Sequence, residues 1–342
     1  MPKQKKSEES LVAKLANTVD DEFLRPIIIR ATEEAALACA ATMGYGDNKH
    51  SDRMAVEAMR KVLNELPAHG RVVIGEGERD EAPMLYIDEE LGDPDSPIKI
   101  DIAVDPLEGT NLCAKGQSNA ICVMAATEAG GLMHAPDIYM EKIIVGPAGG
   151  CDNIDLDAPV KENLKVIAKA FSRDVREMTV VVLDRPRHED LISDIRKAGA
   201  KIKLIGDGDL SAAIAAAIRG SGVHAVMGIG GAPEGVISAA AMKCLGGQIL
   251  GRFTTLKPEQ RKRAVKMGVD FEKVYTTEDL CPGKHVLFAA TGVTDGDLMW
   301  GVRPWGRGVR LFTVSMSYAD KTIRFLDTIR LKDRQAPVQF SR

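Results

Sequence analysis

The chain has 342 residues, 45% hydrophobic and 27% charged, with 45 basic against 49 acidic side chains and a formal charge of −4. That length supports one large α/β domain or two smaller ones, and the absence of a basic excess argues against nucleic acid as the main partner. No apolar run approaches the roughly 20 residues of a membrane span, and six cysteines without paired spacing fit a reduced, cytoplasmic protein lacking a disulfide framework or zinc site.

Residues 1–22 read as an N-terminal extension, in which Lys3, Lys5 and Lys6 precede polar Ser7, Glu8, Glu9 and Ser10 rather than the apolar core of a secretory signal. A first helix is predicted over 24–43, with Ile28, Ala31, Ala35, Ala38 and Cys39 on helical spacing and Gly44-Tyr45-Gly46 ending it. A second begins near Asp52 and carries Met54, Val56, Met59, Val62, Leu63 and Leu66. A strand over 71–74, a loop with a short helix, and a strand over 98–104 follow, with further strands at 120–125 and 142–145. The Gly-, Asp- and Pro-rich stretch 146–158 marks the boundary between an N-terminal half, 23–150, and a C-terminal half, 151–330. Beyond it strands at 178–183, 201–205 and 223–227 alternate with helices at 188–198, 210–219 and 234–245. This rhythm predicts a mostly parallel sheet with helical crossovers. Residues 331–342 form a polar tail.

The chemistry gathers at strand ends. One strand runs into Asp105-Pro106-Leu107-Glu108-Gly109-Thr110, two carboxylates three residues apart, and another into Gly75-Glu76-Gly77-Glu78-Arg79-Asp80-Glu81. Carboxylates crowded in this way repel unless a cation sits among them, and oxygen ligands suit Mg²⁺ or Mn²⁺, hard ions that serve phosphoryl chemistry. Each group also has a plainer reading. Glu76 and its neighbours could be a solvated acidic loop, although the flanking glycines leave room for a close metal. Asp105 and Glu108 could begin a capped helix; alternatively the Leu107 carbonyl and Thr110 hydroxyl add oxygens to the same cavity. Ser51-Asp52 has the form of an N-cap pair, which does not stop Asp52 from reaching a metal.

In the second half, Gly230-Gly231-Ala232-Pro233-Glu234 places a glycine-rich turn at a helix N-terminus, an anion cradle, whereas Gly228-x-Gly230 lacks the third glycine of a dinucleotide fingerprint. Arg185, Arg187 and His188 are either anion ligands or a solvated helix start. These groups and Gly206-Asp207-Gly208-Asp209 all fall at the carboxyl ends of predicted strands, where open α/β sheets bind ligands. No Ser-His-Asp order, Cys-His pair or P-loop lysine supports a covalent route.

Taken together, the run 73–87 around Gly75-Glu76-Gly77-Glu78-Arg79-Asp80-Glu81-Ala82-Pro83, Asp105-Pro106-Leu107-Glu108-Gly109-Thr110-Asn111-Leu112, Asp184-Arg185-Pro186-Arg187-His188 and Met227-Gly228-Ile229-Gly230-Gly231-Ala232-Pro233-Glu234-Gly235-Val236 closely resemble class II fructose-1,6-bisphosphatases. These are bacterial enzymes of the lithium-sensitive phosphatase superfamily. The similarity spans roughly 23–314 and is closest to the cyanobacterial-type branch acting on both fructose 1,6- and sedoheptulose 1,7-bisphosphate. The resemblance implies a layered α-β-α-β-α sugar phosphatase fold of two stacked α/β halves, two divalent metals (Mn²⁺ or Mg²⁺) per active site, and a homodimer or homotetramer. By the same resemblance, Asp52 and Glu76 match the ligands of one metal, and Asp105, Glu108 and Glu234 those of the other. Glu108, Gly109, Thr110, Tyr139, Arg185, Pro186, Arg187, Asp207, Gly208, Asp209 and Gly231 match substrate-contacting positions, with Gly231 standing where some relatives carry Ala.

The implied reaction is hydrolysis of the 1-phosphate of fructose 1,6-bisphosphate by in-line attack of a metal-activated water, with sedoheptulose 1,7-bisphosphate as a second substrate. Thr110, Asp52 and Glu76 are the catalytic candidates: Thr110, oriented by a carboxylate such as Asp52, positions the water. Arg185 and Arg187 hold the distal phosphate, and Tyr139 with the loop from Asp207 to Asp209 the sugar hydroxyls. The rivals are an inositol monophosphatase-like or 3′-nucleotide phosphatase, which the second anion site at Arg185 and Arg187 disfavours, and a non-catalytic sugar-phosphate sensor, which would not retain every ligand position. Cys113, three residues past Thr110, reads as a core thiol.

Overall fold

The computed structural model describes residues 21–77, 84–147, 153–255 and 258–331. The N-terminal extension to residue 20, Glu78, Asp80 and Glu81, Cys151, and the tail from residue 332 lie outside the described residues.

The chain opens with helices α1 (Asp21–Ala40) and α2 (Asn48–Leu63), then strands β1 (His69–Ile74), β2 (Glu90–Gly92) and β3 (Lys99–Glu108), the short helix α3 (Thr110–Ala114), and strands β4 (Ile121–Glu128) and β5 (Tyr139–Val145). Next come α4 (Val160–Ala170), β6 (Thr179–Leu183), α5 (Glu189–Ala198), β7 (Lys201–Ile205), α6 (Asp209–Ala217), β8 (Ala225–Gly231) and α7 (Ala232–Leu245). The last part holds β9 (Gln248–Thr254), α8 (Pro258–Lys266), β10 (Tyr275–Thr276), α9 (Thr277–Leu280), β11 (Leu287–Gly292), β12 (Arg303–Trp305), β13 (Gly308–Ser317) and β14 (Thr322–Leu331). The short helix expected between 74 and 98 is absent among the described residues there; β2 instead pairs antiparallel with β1.

These strands form two sheets, one of eight in the order β12-β13-β11-β4-β3-β1-β2 with β14 beside β13, and one of six in the order β10-β9-β5-β8-β6-β7. Three apolar cores set the layers. α1 and α2 cover the outer face of the first sheet through Leu24, Ile28, Met59 and Leu63. α6 and α7 lie between the sheets, and α4 and α5 cover the outer face of the second with Leu164, Ile167, Ile192 and Ile195. The α-β-α-β-α order follows from side-chain chemistry. α4 and α5 each have a single buried stripe, whereas α7 buries every residue from Gly235 to Lys243. A helix apolar all round must be enclosed, and its run of Ala239, Ala240 and Ala241 lets both sheets approach it closely.

One expectation about connectivity needs correction. The second sheet is mixed rather than mostly parallel: β6 pairs parallel with β7 and β8, but β5 is antiparallel to β8 and β9, and β9 to β10. The chain also crosses between sheets on both sides of residue 150, since β5 lies in the middle of the second sheet and β11 to β14 return to the first. Cys113 is indeed a core thiol, buried and donating weakly to the Cys39 carbonyl (3.8 Å), with burial pushing it up to about 11.

Candidate active site

The parallel pairing of β1 with β3 puts their carboxyl ends side by side, so Glu76 and Asp105 emerge together. Beyond them β3 carries a bulge: Asp105 pairs with Val123 but Glu108 with Ile121, three steps against two. Residues three apart on a regular strand face opposite sides. The extra residue cancels that alternation, which brings both carboxylates to one cavity. α7, entering from between the sheets, adds Glu234 in its first turn.

The result is a cavity of about 350 Å³ lined by Asp52, Gly75, Glu76, Asp105, Glu108, Thr110, Asp137, Asp207 and Glu234, among others. Ligand oxygens of Asp105, Glu108 and Glu234 all lie within 4.8 Å of one another. Asp52 is not the cap of its helix: Asp47 caps α2 by accepting from the His50 amide (2.9 Å), which leaves the Asp52 carboxylate to line the cavity. Nor does Glu108 begin a helix. It ends β3, and α3 starts at Thr110 after Gly109 in the left-handed conformation (φ 80°), which a residue with a Cβ adopts only at a cost.

Each carboxylate of the triad is anchored or orphaned in a telling way. Asp105 Oδ1 accepts from the Leu107 amide (3.1 Å) and Glu108 Oε1 from the Leu210 amide (2.9 Å), so one oxygen of each is fixed. Glu234 Oε2 is buried with no hydrogen-bond partner among the described residues. Burial, followed by the Glu76 charge, holds Asp105 well above the usual carboxylate range; burial, followed by Asp105, does the same to Glu108. Burial and the charges of Asp52, Glu234 and Asp137 push Glu76 up to about 8. Glu234 is raised by burial and then by Asp209, and Asp52 by burial. An all-oxygen, strongly anionic pocket with an unsatisfied buried oxygen fits a hard divalent cation.

That electrostatic strain has a measurable sign. Glu76 is raised in the folded chain from 4.5 to about 8, so the folded state binds more protons across that window and stability falls as pH rises through it. Chelated protein should therefore melt lower at pH 8 than at pH 6. Saturating Mn²⁺ should reverse the loss at pH 8 by about 3 kcal/mol at a hundredfold excess over its dissociation constant. Calorimetry with and without chelator checks both, and identical melts at the two pH values would count against the buried cluster.

Arg185 and Arg187, the residues expected to bind phosphate, are held differently and do not line this cavity. Arg185 donates to the carbonyls of Asp184 (3.0 Å) and Gly206 (2.6 Å), and Arg187 donates twice to the Ile229 carbonyl (3.1 and 2.7 Å) while lying 5.1 Å from the Tyr139 ring centroid. No described carboxylate pairs with either. His188 does not join them. It is buried, its Nδ1–H donates to the Leu183 carbonyl (2.7 Å) and its Nε2 accepts from the Ile229 amide (2.8 Å), which holds it neutral and structural. Burial lowers its pKa accordingly. Pro186 opens the one-turn 3₁₀ helix that presents the two arginines.

Asp207 lines the cavity, with its Oδ2 accepting from Asn111 (3.2 Å), and Gly208 takes the left-handed conformation (φ 82°) before α6. Asp209 does not reach the cavity: it is buried and its Oδ2 meets Lys142 Nζ at 2.8 Å. Gly231 abuts the triad, because a Cβ there would lie 1.8 Å from Glu234 Oε2; an alanine would have to displace that carboxylate. The Thr110 hydroxyl donates to the Leu107 carbonyl (3.1 Å) rather than to Asp52. Sequence reading missed Asp137 and Lys142. Asp137 had no motif around it. Lys142 carried a usable signal, a lone cation in the strand Met140-Glu141-Lys142-Ile143-Ile144-Val145.

Residues 24–330 match the family described as bacterial fructose-1,6-bisphosphatase, glpX-encoded. A protein from Synechococcus sp. (strain JA-3-3Ab) named D-fructose 1,6-bisphosphatase class 2/sedoheptulose 1,7-bisphosphatase is 53% identical over 334 residues, covering 91% of this chain and 96% of its own length. Proteins of the same name from Synechocystis sp. (48% identical, 93% of this chain and 99% of that one) and Trichodesmium erythraeum (50% identical, 89% and 95%) match in the same way. The chain therefore belongs to the bacterial, glpX-encoded fructose-1,6-bisphosphatase family, as its four motifs led one to expect.

Proposed function

We propose that this chain hydrolyses the 1-phosphate of fructose 1,6-bisphosphate to fructose 6-phosphate and inorganic phosphate, and sedoheptulose 1,7-bisphosphate to sedoheptulose 7-phosphate. The observation that carries this reading is the triad of Asp105, Glu108 and Glu234, whose ligand oxygens lie within 4.8 Å, in a family of sugar bisphosphatases. Two divalent cations, Mn²⁺ or Mg²⁺, held by that triad and by Asp52 with Glu76, supply charge neutralisation at the phosphate and a lowered pKa for water.

The chain's own residues do the rest. Thr110 directs its proton to the Leu107 carbonyl, so its oxygen offers lone pairs towards the cavity and accepts a hydrogen bond from the attacking water. Arg185 and Arg187 bind the distal phosphate, and that remote binding aligns the reacting one. Tyr139, under Arg187, and Asp207 contact the sugar. Asp209 acts from behind the wall. A cytoplasmic homodimer or homotetramer working in carbohydrate metabolism completes the proposal; the free, buried thiols Cys39, Cys113, Cys122 and Cys281 suit a reducing compartment.

Phosphate release from fructose 1,6-bisphosphate, sedoheptulose 1,7-bisphosphate and inositol monophosphate, each with Mn²⁺ and with Mg²⁺, tests the assignment. Both bisphosphates should turn over and inositol monophosphate should not; equal turnover of the last would transfer the assignment to the inositol phosphatases. In the same assay Arg187→Ala should raise KM for the bisphosphates about 10- to 100-fold, the loss of a charge-assisted phosphate contact. Hydrolysis of p-nitrophenyl phosphate, which has no distal phosphate, should keep its KM.

A further inference from the structure

Lys142 is 2% exposed, among the largest fully buried side chains of the described residues, and it sits in β5 between Glu141 and Ile143. Burying an ammonium is costly unless its geometry is closely satisfied. Its Nζ is 2.8 Å from Asp209 Oδ2 and donates to the Gly231 carbonyl at 3.1 Å. Both partners lead directly into the carboxylate triad. Asp209 precedes Leu210, whose amide holds Glu108 Oε1 at 2.9 Å. Gly231 immediately precedes the first turn of α7, which carries Glu234. The backbone closes on this contact: a Cβ at Gly230 would stand 2.2 Å from Asp209 Oδ2 and 3.0 Å from Lys142 Nζ.

We infer that Lys142 is a positioning residue that clamps the start of α6 to the start of α7, and thereby fixes Glu108 and Glu234 at the separation a divalent cation needs. The inference rests on the metal-binding reading of the triad proposed above. It accounts for Asp209 lying outside the cavity: its carboxylate belongs to the clamp. It also separates two effects of opposite sign. Lys142 is a cation beside anionic ligands, so if charge balance were its whole role, deleting it would strengthen the attraction for a metal. As a clamp, its loss lets the ligands drift and weakens binding, on the scale of 10- to 100-fold seen when residues supporting metal ligands are removed.

Binding of Mn²⁺ to the chelated full chain, followed by the electron paramagnetic resonance signal of free Mn²⁺, decides between them without recourse to activity. Lys142→Met should raise the dissociation constant about 10- to 100-fold. Because that change leaves Asp209 buried without its partner, the double variant Lys142→Met, Asp209→Leu is measured beside it; an apolar pair removes the clamp without stranding a charge. It too should bind Mn²⁺ more weakly while melting within a few degrees of the wild type. A rise of less than about threefold, or tighter binding, in a folded variant overturns the clamp. Failure of both variants to fold also overturns it, since the pair would then be a folding element. If the wild type itself binds no Mn²⁺, it is the metal reading that falls.

Discussion

Glu76→Gln should abolish turnover and yet raise the melting temperature of the metal-free protein at pH 8. The two effects have one cause. Burial, and then the charges of Asp52, Glu234 and Asp137, push Glu76 up to about 8, so at that pH the folded chain carries a charge it disfavours. Glutamine keeps the shape and removes the charge, and the unfolded chain has no such crowding to relieve. The gain should be on the order of 5 °C at pH 8 and should vanish near pH 5, where the glutamic acid is already protonated in the folded state. Activity should fall by at least about 10²- to 10³-fold, the scale of losing one preorganised electrostatic contact to a phosphoryl transition state. Calorimetry across pH, paired with phosphate release, reads both. A variant that melts like the wild type at pH 8, or retains full activity, would remove Glu76 from the site.

Thr110→Ala should lower kcat about 10²- to 10⁴-fold, the usual contribution of a group that orients or relays a proton, while leaving KM and Mn²⁺ binding nearly unchanged. The structural cost is small. Thr110 is half-buried and among the described residues its hydroxyl makes one bond, to the Leu107 carbonyl, worth about 1 kcal/mol. Thr110→Ser restores the hydroxyl and should recover most of the rate. Stopped assays at saturating substrate, with Mn²⁺ affinity measured on the same samples, separate this from a metal-binding defect; full activity in the alanine variant would end the proposed role. Asp52 need not orient the hydroxyl, since the Leu107 carbonyl already takes its proton.

Most of the acidic lining of the cavity was legible because those residues occupy positions with strong local signatures. Apolar strands announce themselves, and polar residues at their carboxyl ends announce ligands; Glu76, Asp105, Glu108 and Asp207 all lie in that place. The helix starts were harder to read. Ser51-Asp52 looked like a cap, but Asp47 does the capping four residues earlier, because any of several polar residues can serve and only backbone geometry chooses. His188 stood with two arginines in sequence and turned inward in the fold, where Gly228 of β8, lacking a Cβ that would meet the ring at 2.9 Å, leaves space for it.

The sequence by itself determined the strand–helix alternation from 178 to 245, the oxygen-rich chemistry of the strand ends and the family to which the chain belongs. Those are properties of neighbouring residues, and local pattern carries them. Only the tertiary structure decided that β5 sits inside the second sheet, that a bulge turns Asp105 and Glu108 to one side, and that Asp207 lines the cavity while Asp209, two residues on and chemically alike, pairs with Lys142. Sheet order and side-chain partners depend on contacts between distant segments. Lys142 found Asp209 and Gly231 only when β5, α6 and β8 packed together, and no local pattern encodes that meeting.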